Sequence, residues 1–219
     1  MFKSVPKELN SLNLIEITNA IKDIEHFIFF GTLLGMTREG EIITGDDDID
    51  IYVDIKLRKA LIKRLQNNGF IVNENVAPNL SQFFLQLQIP RGEVVTYVDF
   101  YFFNHSSEDF ISEKWNFSGN IENFYKEIRI PKDLIFPIQQ LKYKSTWLSI
   151  PAKPEDVCLY LYGKNWKTPL KKRTEYYTAI FNNKPIILYG FTGRVAYKLI
   201  DLLHEFKNFL RSSFSLNKT

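Results

Sequence analysis

The sequence predicts an α+β fold: a small mixed β-sheet flanked by helices, followed by a mostly helical C-terminal half. Three observations carry this. "DIDIYVDI" (48–55) alternates strictly, and "FFLQLQI" and "VVTYVDFYFF" (83–89 and 94–103) are rich in β-branched and aromatic residues, as half-buried strands are. Segments 7–25 and 56–69 instead repeat apolar residues at helical spacing. Helical periodicity then returns from about Pro154 to Tyr162 and again from near Thr192.

Taken in order, Leu14, Ile17, Ile21 and Ile24 share one face of a helix expected over 7–25. "FIFFGT" (27–32) reads as a short buried strand ending in Gly31, and "LLGMTRE" as a brief helix closed by Gly40. In 48–55 the strand phase puts Ile49, Ile51, Val53 and Ile55 on one face, and Asp48, Asp50, Tyr52 and Asp54 on the other. "KLRKALIKRLQNNG" is a helix with an Asn-Gly stop. Strand "FIVNENV" follows. The next two strands join through Pro90-Arg91-Gly92-Glu93 as an antiparallel hairpin. Pro131 to Pro154 marks the joint between a core unit, 1–150, and a helical subdomain, 151–219, packed on it. That subdomain has a helix from about Pro154 to Tyr162 and a final helix from near Thr192. Val195, Leu199, Leu202, Phe206 and Phe209 form the final helix's apolar stripe, expected to pack on the core, with membrane-surface contact as the alternative.

The chain has 219 residues, 45% of them hydrophobic, enough for one generous core. With 28 Lys and Arg against 25 Asp and Glu, the net charge of +3 is too small for a nucleic-acid protein. No run of 18 apolar residues spans a membrane, and the N-terminal stretch lacks the apolar core of a signal peptide. One cysteine, Cys158, excludes an internal disulfide and fits a reducing compartment, so a cytoplasmic location is expected. There is no P-loop, and three scattered histidines with no HExxH or CxxC give no zinc site.

The chemistry concentrates in "GDDDIDIYV" (45–53), with four carboxylates between Asp46 and Asp50. In an extended strand Asp48 and Asp50 project together, roughly 6–7 Å apart along the chain. Such crowding calls for a divalent cation, and Mg²⁺ takes one or two carboxylates together with water and substrate phosphate. Asp99, inside an apolar strand, is a third acid in need of a partner. If its strand lies beside 48–55, the three carboxylates suit metal-assisted phosphoryl transfer. Gly31 and Thr32 would then expose backbone N–H groups to phosphate, and Arg38 would add a donor fork. A Ca²⁺ loop is excluded, since Ile51 and Leu57 stand where Gly and Glu are needed. A solvated acidic turn and the DxD of a sugar-nucleotide glycosyltransferase stay open on Asp48-Ile49-Asp50 alone. Further on, "KNWKTPLKKR" (164–173) carries five basic residues around Trp166, either a solvated loop or a basic lip for anionic substrate.

"FGTLLGMTREGEIITGDDDIDIYV" resembles the signature of the LicD/fukutin family, a branch of the nucleotidyltransferase fold. "PAKPEDVCLYLYGKNWKTP" (151–169) is similar to that family's C-terminal element, so the likeness touches 27–53, 95–102 and 151–169. The chain departs from many members at Phe30, where they have Gly, and at Gly45, where they have Trp. The resemblance implies transfer of a substituted phosphate, such as phosphocholine or a polyol phosphate, from a CDP-linked donor to a hydroxyl of a cell-surface glycan or lipid-linked glycan. It implies Asp48, Asp50 and Asp99 as catalytic and metal residues for Mg²⁺ or Mn²⁺. Gly31, Thr32 and Arg38 would bind substrate, with Lys164, Trp166 and Lys167 near the site. The same triad would serve a nucleotidyltransferase moving NMP to a small molecule or protein. A non-catalytic module is disfavoured, because it would gain nothing from three repelling acids.

Overall fold

The protein was analysed as a computed structural model that describes residues 6–73, 82–115, 126–170 and 176–215. Its elements in chain order are α1 (Lys7–Ala20), β1 (His26–Ile28), α2 (Phe30–Glu39), β2 (Asp50–Asp54), α3 (Arg58–Asn67), β3 (Val72–Asn73), β4 (Phe84–Arg91) and β5 (Val94–His105). These are followed by β6 (Phe110–Trp115), β7 (Lys126–Pro131), α4 (Lys132–Ile135), β8 (Gln139–Tyr143), β9 (Thr146–Ile150), α5 (Pro154–Tyr162), β10 (Tyr176–Phe181), β11 (Lys184–Tyr189) and α6 (Gly190–Ser215). The central sheet runs β1-β2-β5-β4-β3, with β6 paired to β5 and β7 paired to β6. It is mixed: β2 and β5 are parallel, and the other pairs are antiparallel.

Strand alternation divides the sheet into two unlike faces. Ile51 and Val53 of β2, Val98, Phe100 and Phe102 of β5, and Leu85 and Leu87 of β4 are all buried on one side. The Arg58 guanidinium of α3 lies 5.5 Å from the Phe102 ring centre on that side. The opposite face carries Asp50, Asp99 and Gln86 in one row, then Tyr52, Tyr101 and Phe84 in the next. Aromatic rings fill this second face: Phe29 and Tyr52 have centroids 4.1 Å apart, and Phe30 meets Tyr101 edge-on at 5.0 Å. The many phenylalanines are thus core material.

The structure redraws three expected boundaries. Helix α1 stops at Ala20, although Ile21 and Ile24 remain buried beyond it. The expected strand 27–32 ends at Ile28 because Phe30, at φ +39°, turns the chain into α2, leaving Gly31 and Thr32 inside that helix. Of "FIVNENV", Val72–Asn73 form strand, and residues 74–76 lie outside the described residues.

Ahead of the C-terminal subdomain, β8 and β9 form an antiparallel hairpin, and the subdomain is less helical than expected, since a second hairpin, β10–β11, interrupts it. The second hairpin turns at Asn182-Asn183, both at positive φ, the conformation two-residue hairpin turns favour. Val157, Cys158 and Leu161 of α5, with Trp166 and Ile180, join the same buried cluster as the sheet. Helix α6 also differs. Its Gly193 packs against Leu188, where a Cβ would sit 2.7 Å from backbone, so the Gly193 face is turned toward the hairpin. Val195, Leu199, Leu202 and Phe206, expected on the core, are exposed on the opposite face. The side chain of Phe209 is outside the described residues.

Candidate active site

The site forms where β1 hands over to α2. The Phe29 N–H donates to the Asp50 carbonyl at 3.0 Å, ending the β1–β2 ladder. Helix α2 has no capping side chain of its own at Phe29. Asp50 supplies the cap from β2: the Thr32 N–H points to Asp50 Oδ2 at 3.4 Å, while the Asp50 N–H donates to Thr32 Oγ1 at 2.8 Å. This reciprocal pair fixes a buried carboxylate at the positive end of a helix. The amide and hydroxyl of Thr32 are therefore engaged with Asp50.

Gly31 permits the close approach. A Cβ there would lie 2.9 Å from Asp46 Oδ2 and 3.2 Å from Asp50 Oδ2, so any side chain would push these carboxylates off the helix end. Gly35, one turn on, is equally constrained, with a Cβ position 2.5 Å from the Glu41 carbonyl. Small residues at both positions let the acidic loop fold back along α2. Asn10 of α1 anchors that loop by donating from Nδ2 to the Asp46 carbonyl at 2.9 Å.

Asp99 stands directly opposite Asp50 in the parallel β2–β5 register. Its N–H donates to the Ile49 carbonyl at 2.7 Å, and Gln86 Nε2 donates to its Oδ1 at 2.8 Å. The carboxylates of Asp46, Asp47 and Asp48 each offer an oxygen within 4.8 Å of the others. The strand expected from Asp48 starts two residues later. Strand β2 begins at Asp50, and Asp48 belongs to the loop that follows the Thr44-Gly45 turn, where Gly45 has φ +88°.

Electrostatics bind these acids into one unit. Burial, then the charges of Asp48 and Asp47, push Asp46 up to about 7. Burial, then Asp47, raises Asp48 to about 6. Asp99 rises to about 7 through burial, against the opposing Gln86 hydrogen bond, with Asp48 and Asp47 adding to the rise. Asp50, the most buried, is driven well above the carboxylate range by burial and then by Asp48, Asp46 and Asp99. Tyr101, hydrogen-bonded to Asp50, is held far above the phenol range, first by burial and then by the same acids. Among the described residues no lysine or arginine offsets these charges. An all-oxygen donor set, crowded and uncompensated, fits a hard divalent cation such as Mg²⁺.

The remaining predicted residues lie elsewhere. Arg38 sits in the last turn of α2, about 10 Å along the helix from Gly31, with its guanidinium on Glu39 at 2.6 Å. It lines a cavity of about 90 Å³ with Leu34, Tyr162, Trp166 and Tyr189. The structure thus brings Arg38 together with Trp166, at the opposite end of α2 from Asp50. Trp166 is itself buried. Lys167 is exposed, pairing with Glu155 at 2.8 Å and covering the Trp166 ring. Lys164 borders a neighbouring cavity beside Gly163 and Tyr189. Residues 171–173 of the basic stretch lie outside the described residues. Sequence reasoning missed Gln86, Tyr101 and Asn10. Gln86 was within reach: a two-residue turn at Gly92-Glu93 fixes it opposite Asp99.

Two carboxylates side by side on parallel strands, one of them at a helix N-terminus with further acids in the adjoining loop, are an arrangement suited to phosphoryl or nucleotidyl transfer. The LicD/FKTN/FKRP nucleotidyltransferase-domain family matches residues 23–153, more than half of the sequence, and the chain belongs to that family. It is accordingly a transferase of the phosphoryl or nucleotidyl kind. A similar solved structure is the lincomycin-bound lincosamide antibiotic adenylyltransferase LnuA, at 16% identity and a TM-score of 0.46, covering 76% of this chain and 90% of that one. No curated relative matches the sequence.

Proposed function

We propose that the protein transfers a substituted phosphate, such as phosphocholine or a polyol phosphate, from a CDP-linked donor to a hydroxyl of a cell-surface or lipid-linked glycan. The observation that carries this reading is the pairing of Asp50 with Asp99 across parallel strands, with Asp50 clamped by Thr32. Family membership supports the kind of reaction. In the transfer the acceptor oxygen forms a bond to the donor's distal phosphorus, the bond from that phosphorus to CMP breaks, and the acceptor proton passes to a carboxylate.

Asp48, Asp50 and Asp99 would hold Mg²⁺ or Mn²⁺, with Asp46 as a further ligand; the cation, when bound, neutralises charge on the phosphate oxygens. The chain's own residues do the positioning. Thr32 and Tyr101 hold Asp50 in one orientation. Gln86 occupies one oxygen of Asp99 and leaves the other to receive a proton or a ligand. Arg38 and Trp166, with Lys164 and Lys167 outside them, would hold the part of the substrate remote from the reacting phosphorus. The protein would work in the cytoplasm, at the inner face of the membrane.

The test is incubation of purified protein with Mg²⁺, a glycan acceptor, and CDP-choline, CDP-ribitol or CTP. Release of CMP from a CDP donor is the expected result. Release of pyrophosphate from CTP, with no CMP from any CDP donor, would move the reading to NMP transfer.

A further inference from the structure

Helix α6 places its apolar face outward. Phe191 is 75% exposed and Phe206 59%, and between them Val195, Leu199, Leu202 and Leu203 are exposed as well. Phe191, Val195, Leu199, Leu202 and Phe206 recur at four-, four-, three- and four-residue steps, with Leu203 at their edge, and cover one face for about 22 Å of helix. Monomeric proteins rarely leave so continuous an apolar strip in water. The packed face is the opposite one, through Gly193 against β11. The strip is therefore not a fraction of the core left uncovered.

The rims of the strip choose its occupant. Lys198 on one side and Lys207 on the other are exposed, and Arg194 stands next to Lys198, its Nε donating to the Tyr177 hydroxyl at 2.9 Å. By helical position Asp201 shares the rim of Arg194 and Lys198. Phenylalanine and leucine on one face, with lysine at both edges, is the pattern of a helix lying in a bilayer interface, where lysines meet lipid phosphate as the apolar face sinks among acyl chains. No helix among the described residues is long and apolar enough to cross a membrane, so the contact is peripheral. The strip also begins two residues from Tyr189, which lines the cavity holding Arg38 and Trp166.

We propose that the Phe191–Phe206 face of α6 docks the protein on the surface of an anionic bilayer, bringing the mouth of the Arg38–Trp166 cavity to the lipid headgroups. The docking stands apart from the catalytic reading, because it can be measured without turnover.

Sedimentation of the full chain with vesicles of phosphatidylglycerol and phosphatidylcholine tests it, against pure phosphatidylcholine vesicles and with analytical ultracentrifugation of the protein alone. Wild type is expected to pellet with anionic vesicles. Lys198→Glu and Lys207→Glu should each weaken binding roughly fivefold, and neutral vesicles should bind least. Leu199→Glu/Leu202→Glu should abolish binding and leave the circular dichroism and melting temperature unchanged, because both residues are exposed. Wild type remaining in the supernatant, or the double variant binding as wild type does, would overturn the proposal. A concentration-dependent dimer lost in the double variant, without vesicle binding, would assign the strip to a second copy instead.

Discussion

The acidic edge of β2 and the outer face of α6 break the same rule in opposite directions. Around Asp50 the fold buries charges that water would normally keep, and along α6 it exposes apolar groups that water would normally expel. Neither departure comes from loose assembly. Asp50 is fixed by reciprocal hydrogen bonds to Thr32, and α6 is seated by a glycine that excludes any larger residue. Local conflict held in place by ordered surroundings is what a functional surface looks like, because the missing partner is a ligand. The two regions differ in what would resolve the conflict: a cation in one, a surface in the other.

The largest effect should come from removing a charge at the acidic edge. Asp50→Asn keeps the shape and an acceptor for the Thr32 N–H, yet should lower turnover by at least roughly 10³-fold. In chelator the same variant should melt higher than wild type, since it takes a repelled, desolvated acid out of the interior. Opposite movement of rate and melting temperature is the signature to look for. A variant with wild-type turnover would remove Asp50 from the chemistry.

Gly31→Ala tests whether the carboxylates must reach the helix end. Alanine suits a helix better than glycine by about 1 kcal/mol, which offsets part of the crowding against Asp46 and Asp50. Folding stability should therefore change little, while divalent-cation affinity, measured by calorimetry, falls by roughly tenfold (about 1.4 kcal/mol) as the two carboxylates swing apart. Unchanged affinity would mean that the acids act without the helix end.

The pH dependence follows from the sign of the shifts. Asp46 and Asp99 rise from an ordinary 3.8 to about 7, and Asp48 to about 6, so the folded chain binds more protons than the unfolded one between these limits. Their contribution to stability is fully present below pH 3.8 and is lost as pH climbs toward 7. In chelator, the melting temperature of wild type relative to Asp99→Asn should fall across that window by a few degrees. With Mg²⁺ added the wild-type decline should flatten, because the cation takes over from the protons. A difference that rises with pH would mean that the acids are compensated by groups other than a cation.

Much of this was legible in the sequence, for identifiable reasons. Period-two alternation over 48–55 gave β2, and the apolar surroundings of Asp99 exposed its need for a partner, because those signals are local. What escaped depended on other parts of the chain. Asp48 lies outside the strand because β2 begins at Asp50, past the Thr44-Gly45 turn, and strand alternation does not register where a strand starts. The distance of Arg38 from the acids followed from α2 beginning already at Phe30. The stripe on α6 was read correctly as amphipathic and assigned to the wrong side, since periodicity identifies an apolar face without saying what covers it. Gly193 was the available sign, marking the side where the helix comes closest to its neighbour.

The smallest expected effect is the sharpest test of that last point. Leu61 of α3 and Leu202 of α6 are both helical leucines, one fully buried and the other 61% exposed. Leu61→Ala removes packed atoms and leaves a cavity, so it should cost about 2–5 kcal/mol. Leu202→Gln loses almost no packing and should stay within about 0.5 kcal/mol of wild type in urea titration, with an unchanged slope. A loss above about 1 kcal/mol at Leu202 would show that the stripe is covered in solution by the protein's own chain, which would withdraw both the contrast drawn here and the membrane surface proposed for α6. Equality with wild type, set beside a large loss at Leu61, leaves the outward stripe free of any folding role, and a free apolar strip of this length needs a partner outside the chain to account for it.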